Sequence, residues 1–388
     1  MLIAIGLRCL LLFSIPNFSD DFYRFIWDGE VFKNGISPFL KIPSDFNEKE
    51  RIALYFTPEY FARLNSPNFY SVYPPICQSI FFISAKLTSL YFIDSSFQNT
   101  LLFRVVVMKL FLLFFEFGSI YCLHLLQHHL KLSPKTIFIY ALNPLVILEL
   151  VGNCHFEPAM IFFLLASLYA LFKDKWVLGA IFFAFSVSGK LLTLMLLPFF
   201  VFRLGIWRGS SFVLISFSLI GLLFLPFINF SFAENLGQSI GLFFRHFEFN
   251  AGIYLFMKEL LLLLEWYSIQ MILGKIFGLM CLFMLGVVFY WFVSTKSSDI
   301  ISVVFLSFCI YFLLAVVVHP WYLTTLVALA SLSSFRFPIA WSSLSVLSYS
   351  AYSVLPYHEK PAIIILEYIL VLIVVGLERK KLQKIFNS

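Results

Sequence analysis

The sequence predicts an all-α polytopic membrane protein with roughly 11–13 transmembrane helices. Three observations predict it: the ratio of apolar to charged residues, the length of the apolar runs, and where the charges fall. Of the 388 residues, 61% are hydrophobic and 12% charged, whereas a soluble domain is roughly 45–50% apolar and about 25% charged. Folding alone cannot hide so much apolar surface from water, so lipid must solvate it. A soluble enzyme, a disordered chain and a disulfide-stapled secreted module are excluded. The net charge of +6 does not point to nucleic acid, because the basic residues lie mostly at the ends of apolar runs, as cytoplasmic turns do. The cysteines Cys9, Cys77, Cys122, Cys154, Cys281 and Cys309 are scattered without metal or redox spacing and read as small apolar packing residues.

Taken in order, Met1–Ile15 is short for a span. A signal peptide is the other reading, and the lack of a small-residue cleavage site after it favours a retained helix. Residues 16–72 hold eight of the 21 acidic and six of the 27 basic residues and form a large first loop, expected outside the membrane. Tyr73–Phe92, Leu101–Leu126, Thr136–Val151 and His155–Phe172 follow as apolar runs. Trp176–Phe202 has room for two short helices broken near Lys190, and Ser211–Phe227 comes next. A second loop, 229–252, carries Glu234, Arg245, His246, Glu248 and Asn250. Both loops are expected to contain amphipathic helices at the membrane surface. Ile269–Val293, Ile300–Val318, Trp321–Ser334, Pro338–Leu355 and Ala362–Leu377 complete the spans. A tail, 378–388, with Arg379, Lys380, Lys381 and Lys384 reads as cytoplasmic, and residues 1–388 as a single transmembrane domain.

Charge placement sets an orientation. With the tail inside, the turns at Lys296, Arg203/Arg208, Lys173/Lys175 and Lys131/Lys135 fall inside, and those at His319, 229–252 and Asn153–Glu157 fall outside. Counting further back would put the first loop inside, while an inside N-terminus delivers it outside. One segment within Tyr73–Leu126, a stretch containing Lys86, Arg104 and Lys109, therefore fails to cross or crosses twice.

The first loop opens Ser19-Asp20-Asp21-Phe22-Tyr23-Arg24-Phe25-Ile26-Trp27-Asp28-Gly29. Adjacent carboxylates at the mouth of a membrane helix suit a general base, since repulsion and partial desolvation raise a proton affinity. Ser19 or Asp20 as a helix N-cap is the plainer reading, and the two are compatible. Asp-Asp-Phe-Tyr-Arg-Phe-Ile-Trp-Asp-Gly followed by Asn34-Gly35-Ile36-Ser37-Pro38-Phe39 resembles the first extracytoplasmic loop of GT-C glycosyltransferases, in particular bacterial polyprenyl-phosphate-mannose-dependent mannosyltransferases. Further along, Tyr73-Pro74-Pro75, Leu142-Asn143-Pro144-Leu145 with Glu149, Gly152-Asn153-Cys154-His155-Phe156-Glu157, Ser188-Gly189-Lys190 through Pro198, and His319-Pro320-Trp321-Tyr322 are similar to that family's elements, in its order. Glu157 stands where the family has Asp, and the proline usual soon after the lysine is replaced by Leu191-Leu192-Thr193.

The resemblance implies a GT-C fold and a hexosyltransferase moving mannose from a polyprenyl-phosphate donor to a glycan or glycolipid acceptor. It places the reaction at the outer face of the bacterial cytoplasmic membrane, and it leaves a divalent cation beside the aspartate pair open. Such a transfer needs a base for the acceptor hydroxyl and fixed cations for the leaving phosphate. Asp21 is the first candidate for the base and Asp20 the second. Lys190, costly inside an apolar run unless it snorkels, pairs or lines a cavity, and Arg24 are candidates for the phosphate. Arg24 and Asp21 share a helix face, so a plain ion pair is equally open. Asp28, Asn153, His155, Glu157 and His319 are substrate-binding candidates. His155 and His319 are as readily structural donors. Asn153, His155 and Glu157 are too few for a closed zinc site. Tyr73, Trp321 and Tyr322 suit sugar stacking or interfacial anchoring. A transporter or flippase of lipid-linked sugars would place its charges near the bilayer midplane on repeated halves. No repeat is evident, and a non-catalytic subunit of envelope assembly is the remaining alternative.

Overall fold

A computed structural model describes residues 1–54, 56–91, 97–245, 247–296, 299–353 and 358–386. His246, the last two residues of the expected span Pro338–Leu355, and residues 387–388 of the tail lie outside them. The described residues are helical apart from connecting turns and one isolated β-bridge between Phe249 and Val317, as an all-α membrane protein requires. Leu191–Phe227 and Leu273–Ser294 are each long and apolar enough to cross a membrane. The bent pair Pro134–Ala141 and Pro144–Gly152 makes a third if it is one span, and six further apolar helices run 10–17 residues.

The helices are shorter than the apolar runs because local chemistry breaks them. Pro144 has no amide to continue a helix, and Thr136–Val151 divides there: helix Phe138–Ala141 ends, and Pro144–Val146 passes into π-helical turns over Ile147–Gly152. Trp176–Phe202 breaks at Lys190, which is extended (φ −157°, ψ 124°). A 3-10 run, Leu191–Leu196, then leads into helix Leu197–Phe224, which absorbs the expected start at Ser211 and kinks at Gly205 (φ 75°). Trp321–Ser334 contracts to the 3-10 turn Pro320–Leu323 and helix Thr324–Ala330, and Pro338–Leu355 to helix Phe337–Leu344 and a 3-10 run. Helix Gly252–Leu263 has no counterpart among the expected spans, because Lys258 and Glu259 interrupt its apolar pattern.

Two compact units result. The first comprises Met1–Cys122, Ile147–Leu194 and Phe212–Gly241. Its principal helices are α1 (Leu2–Leu10), α2 (Asp21–Lys33), α3 (Pro75–Tyr91), α4 (Phe97–His129, as far as Cys122), α5 (Glu157–Phe172) and α6 (Trp176–Gly189). Helix α2 is buried at every position from Phe22 to Val31. It lies so close to α3 that a Cβ on Gly29 would sit 2.3 Å from the Phe81 carbonyl oxygen. Phe25 stacks on Phe81 at 4.8 Å, and Phe156 meets both rings edge-on. Helices α5 and α6 pack on each other, and α6 also touches α3.

The first loop wraps α2. Asn47 and Glu50 cap helix Glu48–Ala53 reciprocally, Lys41 pairs with Glu50 at 2.9 Å, Tyr60 Oη donates to the Tyr23 carbonyl, and Trp27 stacks on Phe56. Within the second loop, amphipathic helix Phe232–Arg245 turns Asn235 and Ser239 inward, where they donate to the Phe39 and Tyr70 carbonyls.

The charges of α4 are internal ties. Glu116 takes the buried Arg8 Nε at 2.9 Å, and Lys109 Nζ donates to the Leu11 and Ser14 carbonyls at 2.9 and 2.6 Å, closing the end of α1. Arg104 reaches Glu30 at 2.8 Å, and Lys33 pairs with the same carboxylate. Arg104 and Lys109 therefore interrupt their apolar run as binding partners, with no turn at either position.

The second unit, Leu123–Val146, Met195–Ser211 and Leu242–Ser388, packs helix Leu273–Ser294 on Ile300–Leu314 and Gly252–Leu263 on Pro361–Leu377. Glu367 is fully buried on the last of these and accepts from Asn250 Nδ2 and Trp341 Nε1, each at 3.2 Å, while Tyr368 Oη donates to the Asn250 carbonyl at 2.8 Å.

Removing one partner of a buried ion pair leaves a charge without compensation. Glu116→Leu should therefore destabilise the protein by about 3–5 kcal/mol, and adding Arg8→Met should recover most of the loss. Thermal unfolding in detergent measures both.

Candidate active site

Helix α2 begins at Asp21, and the cap is serine: Ser19 Oγ accepts the Asp21 amide at 3.2 Å, while Asp20, in the N-cap position, makes no side-chain cap bond. The exposed Asp20 carboxyl is nonetheless held above the usual aspartate range. Loss of solvation from the surrounding atoms is the main cause, the charge of Asp21 adds to it, and Arg63 opposes it. Asp21 Oδ1 accepts from Asn65 Nδ2 at 2.6 Å, so the far end of the first loop returns to hold it. Asp21 Oδ2 lies 3.9 Å from His155 Nε2, and Asp21 retains 24% exposure where His155 has 2%.

Behind His155 stands Glu149, which the sequence shows as the sole charge in its apolar run. His155 Nδ1 is 3.1 Å from Glu149 Oε2 and 3.2 Å from the Glu149 carbonyl oxygen. The other carboxylate oxygen accepts from Asn153 Nδ2 at 3.0 Å. Asn153 Oδ1 in turn accepts the Asn17 and Phe18 amides at 3.3 Å, fastening this turn to the strand of chain that leads into Asp20 and Asp21. The backbone reaches this arrangement through the π-helical turns over Ile147–Gly152 and a left-handed Cys154 (φ 62°). Both are conformations that persist where surrounding contacts enforce them, and π turns recur at functional sites.

Two residues beyond His155, Glu157 opens α5 and accepts from Lys190 Nζ at 2.5 Å. Lys190 is the extended residue where α6 stops, so its side chain leaves the helix end at 27% exposure. The structure thus brings Asp21, His155, Glu149 and Asn153 together through ion-pair contacts and one side-chain hydrogen bond, and pairs Glu157 with Lys190.

Arg24 and Asp28 take a different place. Arg24 Nε donates to Asp28 Oδ1 at 2.7 Å, and its Nη1 donates to the Ser66 and Phe69 carbonyls at 2.9 Å. Asp28 Oδ2 accepts from Ser71 Oγ at 2.5 Å and Gln78 Nε2 at 2.8 Å. Both residues are buried, Asp28 completely, so Arg24 serves the end of the loop, and Asp28 rather than Asp21 is its carboxylate. Tyr73, half-buried, packs edge-on against Phe25 at 4.9 Å.

His319, Trp321 and Tyr322 belong to the second unit. There His319 lies between the rings of Trp321 (4.2 Å, 5°) and Phe249 (4.6 Å), with Tyr322 edge-on at 5.3 Å. One face of Trp321 is therefore already covered, and the residue is buried.

Among the described residues no group of three His, Cys, Asp or Glu side chains is placed to hold a metal ion. Asn65, an unremarkable loop amide, is not singled out by the sequence, and Glu149 has no role assigned from it. The clue for Glu149 was its isolation in an apolar run, four residues before Asn153.

The sequence matches the family described as Alpha-(1->6)-mannopyranosyltransferase, N-terminal domain (the MptA_B family) over residues 9–205. That interval contains Asp20, Asp21, Arg24, Asp28, Tyr73, Asn153, His155, Glu157 and Lys190, and it stops short of His319, Trp321 and Tyr322. The Alpha-(1->6)-mannopyranosyltransferase A of Mycobacterium tuberculosis (strain ATCC 25618 / H37Rv) is 25% identical over 191 residues, which is 49% of this chain and 34% of the relative. The match thus spans about a third of that protein's length.

The two groups of charges at the start of α2 should separate on substitution. Arg24→Met leaves Asp28 buried without its cation and should cost about 3–5 kcal/mol. Asp20→Asn, at an exposed position, should stay within about 0.5 kcal/mol of the parent. Chemical or thermal unfolding of the detergent-solubilised variants distinguishes them.

Proposed function

The chain belongs to the Alpha-(1->6)-mannopyranosyltransferase MptA_B family, and from that premise we propose that it transfers a mannosyl group from a polyprenyl-phosphate donor to a hydroxyl of a glycan or glycolipid. The observation that carries this reading is the partly open Asp21 carboxylate at the head of a buried helix, aligned by Asn65 and backed by His155 and Glu149.

A single displacement accounts for the groups present. The acceptor oxygen attacks the anomeric carbon on the face opposite the phosphate, and the bond to the phosphate oxygen breaks with its electron pair. Asp21 receives the acceptor proton. Asp20 is the weaker candidate: no hydrogen bond orients its carboxylate among the described residues. The growing negative charge on the leaving phosphate calls for a fixed cation, and Lys190 supplies it, held by Glu157 at a point where the helix has ended. Glu157, one methylene longer than aspartate, reaches the lysine from the first turn of α5. Arg24 and Asp28 anchor the loop beneath the base, and Asn153 fixes the approach to it. Tyr73 lines the same unit. His319, Trp321 and Tyr322 form an aromatic cluster within the second unit.

The lipid tail of the donor stays in the bilayer while its sugar meets the acceptor at the outer face of the cytoplasmic membrane. The clustering of Lys and Arg in the opposite turns supports that orientation.

In proteoliposomes supplied with polyprenyl-phosphate mannose and a panel of glycan acceptors, the parent should form product with inverted anomeric configuration. Asp21→Asn should lower the rate by about 10²–10⁴-fold with donor binding retained. Retention of configuration would overturn the single displacement. Full activity in Asp21→Asn would overturn the assignment of the base.

A further inference from the structure

Glu149 is the buried charge that the transfer chemistry above leaves unused. A carboxylate 1% exposed in an apolar run is costly unless its charge and its lone pairs are met. Here Asn153 donates to one oxygen, and the other makes an ion-pair contact with His155 Nδ1 at 3.1 Å, while the hydrogen-bond contact of Nδ1 is with the Glu149 main-chain carbonyl. The same contact fixes the imidazole. With Nδ1 turned to Glu149, Nε2 is the nitrogen facing Asp21, and because Asn65 holds Asp21 Oδ1, it is Oδ2 that faces the ring at 3.9 Å. At that separation the two make an ion pair and no hydrogen bond, so one bridging water carries the proton between them.

We propose that Glu149 is a positioning residue for proton removal: it sets the tautomer and orientation of His155 so that the proton taken by Asp21 passes to His155 Nε2. This rests on the reading of Asp21 as the base. The step balances. The acceptor oxygen bonds to the anomeric carbon as the carbon–phosphate-oxygen bond breaks, the electron pair leaves with the phosphate, and the acceptor proton moves to Asp21 and then to Nε2. The resulting imidazolium is neutralised by Glu149, and Asp21 returns to its ionised form beside Asp20. The charged groups facing His155 are Glu149 from the π-helical turn, Asp21 from α2 and Glu157 from α5, the last carrying Lys190.

The pH dependence of transfer tests this. His155 must be neutral to receive the proton, so the rate rises with pH as His155 loses its own. Removing the anion that favours imidazolium lowers the proton affinity of the ring. Glu149→Gln should therefore move the acid limb of the rate profile to lower pH while the plateau falls by about 100-fold, the low end of what a positioned acid–base group contributes. His155→Gln keeps an amide in place of the ring but cannot titrate, and it should remove the limb. It decides the matter if Glu149→Gln does not fold.

The assay uses the full chain in proteoliposomes with polyprenyl-phosphate mannose. A limb left in place in Glu149→Gln, with only a lower plateau, overturns the proposal, as does a limb that persists in His155→Gln. Asp21→Asn, measured alongside, separates the two levels. If it transfers normally, the base and the relay both fall. If it is inactive beside unmoved limbs, the relay alone falls.

Discussion

The first unit depends on the burial of a charged helix. Helix α2 carries Arg24, Asp28 and Glu30 on a segment closed on every side, so each charge must meet its partner inside the protein. Arg24 meets Asp28 and the Ser66 and Phe69 carbonyls, and Glu30 meets Arg104 and Lys33. Those contacts fix the helix and draw the last part of the first loop onto it. From that loop Asn65 reaches the Asp21 carboxylate. The partly open acid at the helix start is held in place because the acid about two turns further along is buried.

The scarce charges of this chain therefore fall into three populations. Lys and Arg of the tail and turns lie outside the buried framework. Arg8, Glu30, Arg104, Lys109 and Glu116 hold α1, α2 and α4 together from within. Asp21, Glu149, His155, Glu157 and Lys190 pair with one another around two helix starts and one helix end. A charge in an apolar run belongs to the second or third population according to whether its partner lies on the framework or beside an opening, which composition cannot tell.

Much of this was legible. Apolar content and run length gave the membrane class, and a break near Lys190 was visible because a lysine inside an apolar run needs a reason. Asp20, Asp21, His155 and Glu157 stood out as polar residues at the borders of apolar ones. Less legible was anything that depends on distant pairing. Arg24 and Asp21 lie at helical spacing, yet Arg24 chose Asp28, because the Ser66 and Phe69 carbonyls accept from the guanidinium while Ser71 and Gln78 donate to the Asp28 carboxylate, each from 40 or more residues away. The division of Thr136–Val151 was readable from Asn143-Pro144, whereas the π-helical register beyond it was not, since it is set by the hydrogen bonds Glu149 and Asn153 make with His155 and the chain before α2. Helix Gly252–Leu263 escaped notice because Lys258, which pairs with Glu248 at 2.5 Å, made an ordinary helix look like the end of a loop.

The close approach at Gly29 has a mechanical side. Where most helices are separated by a layer of side chains that can change rotamer, α2 and α3 touch backbone to backbone, and that contact has no soft layer to compress. The two helices form one stiff block that carries Asp21 at its edge.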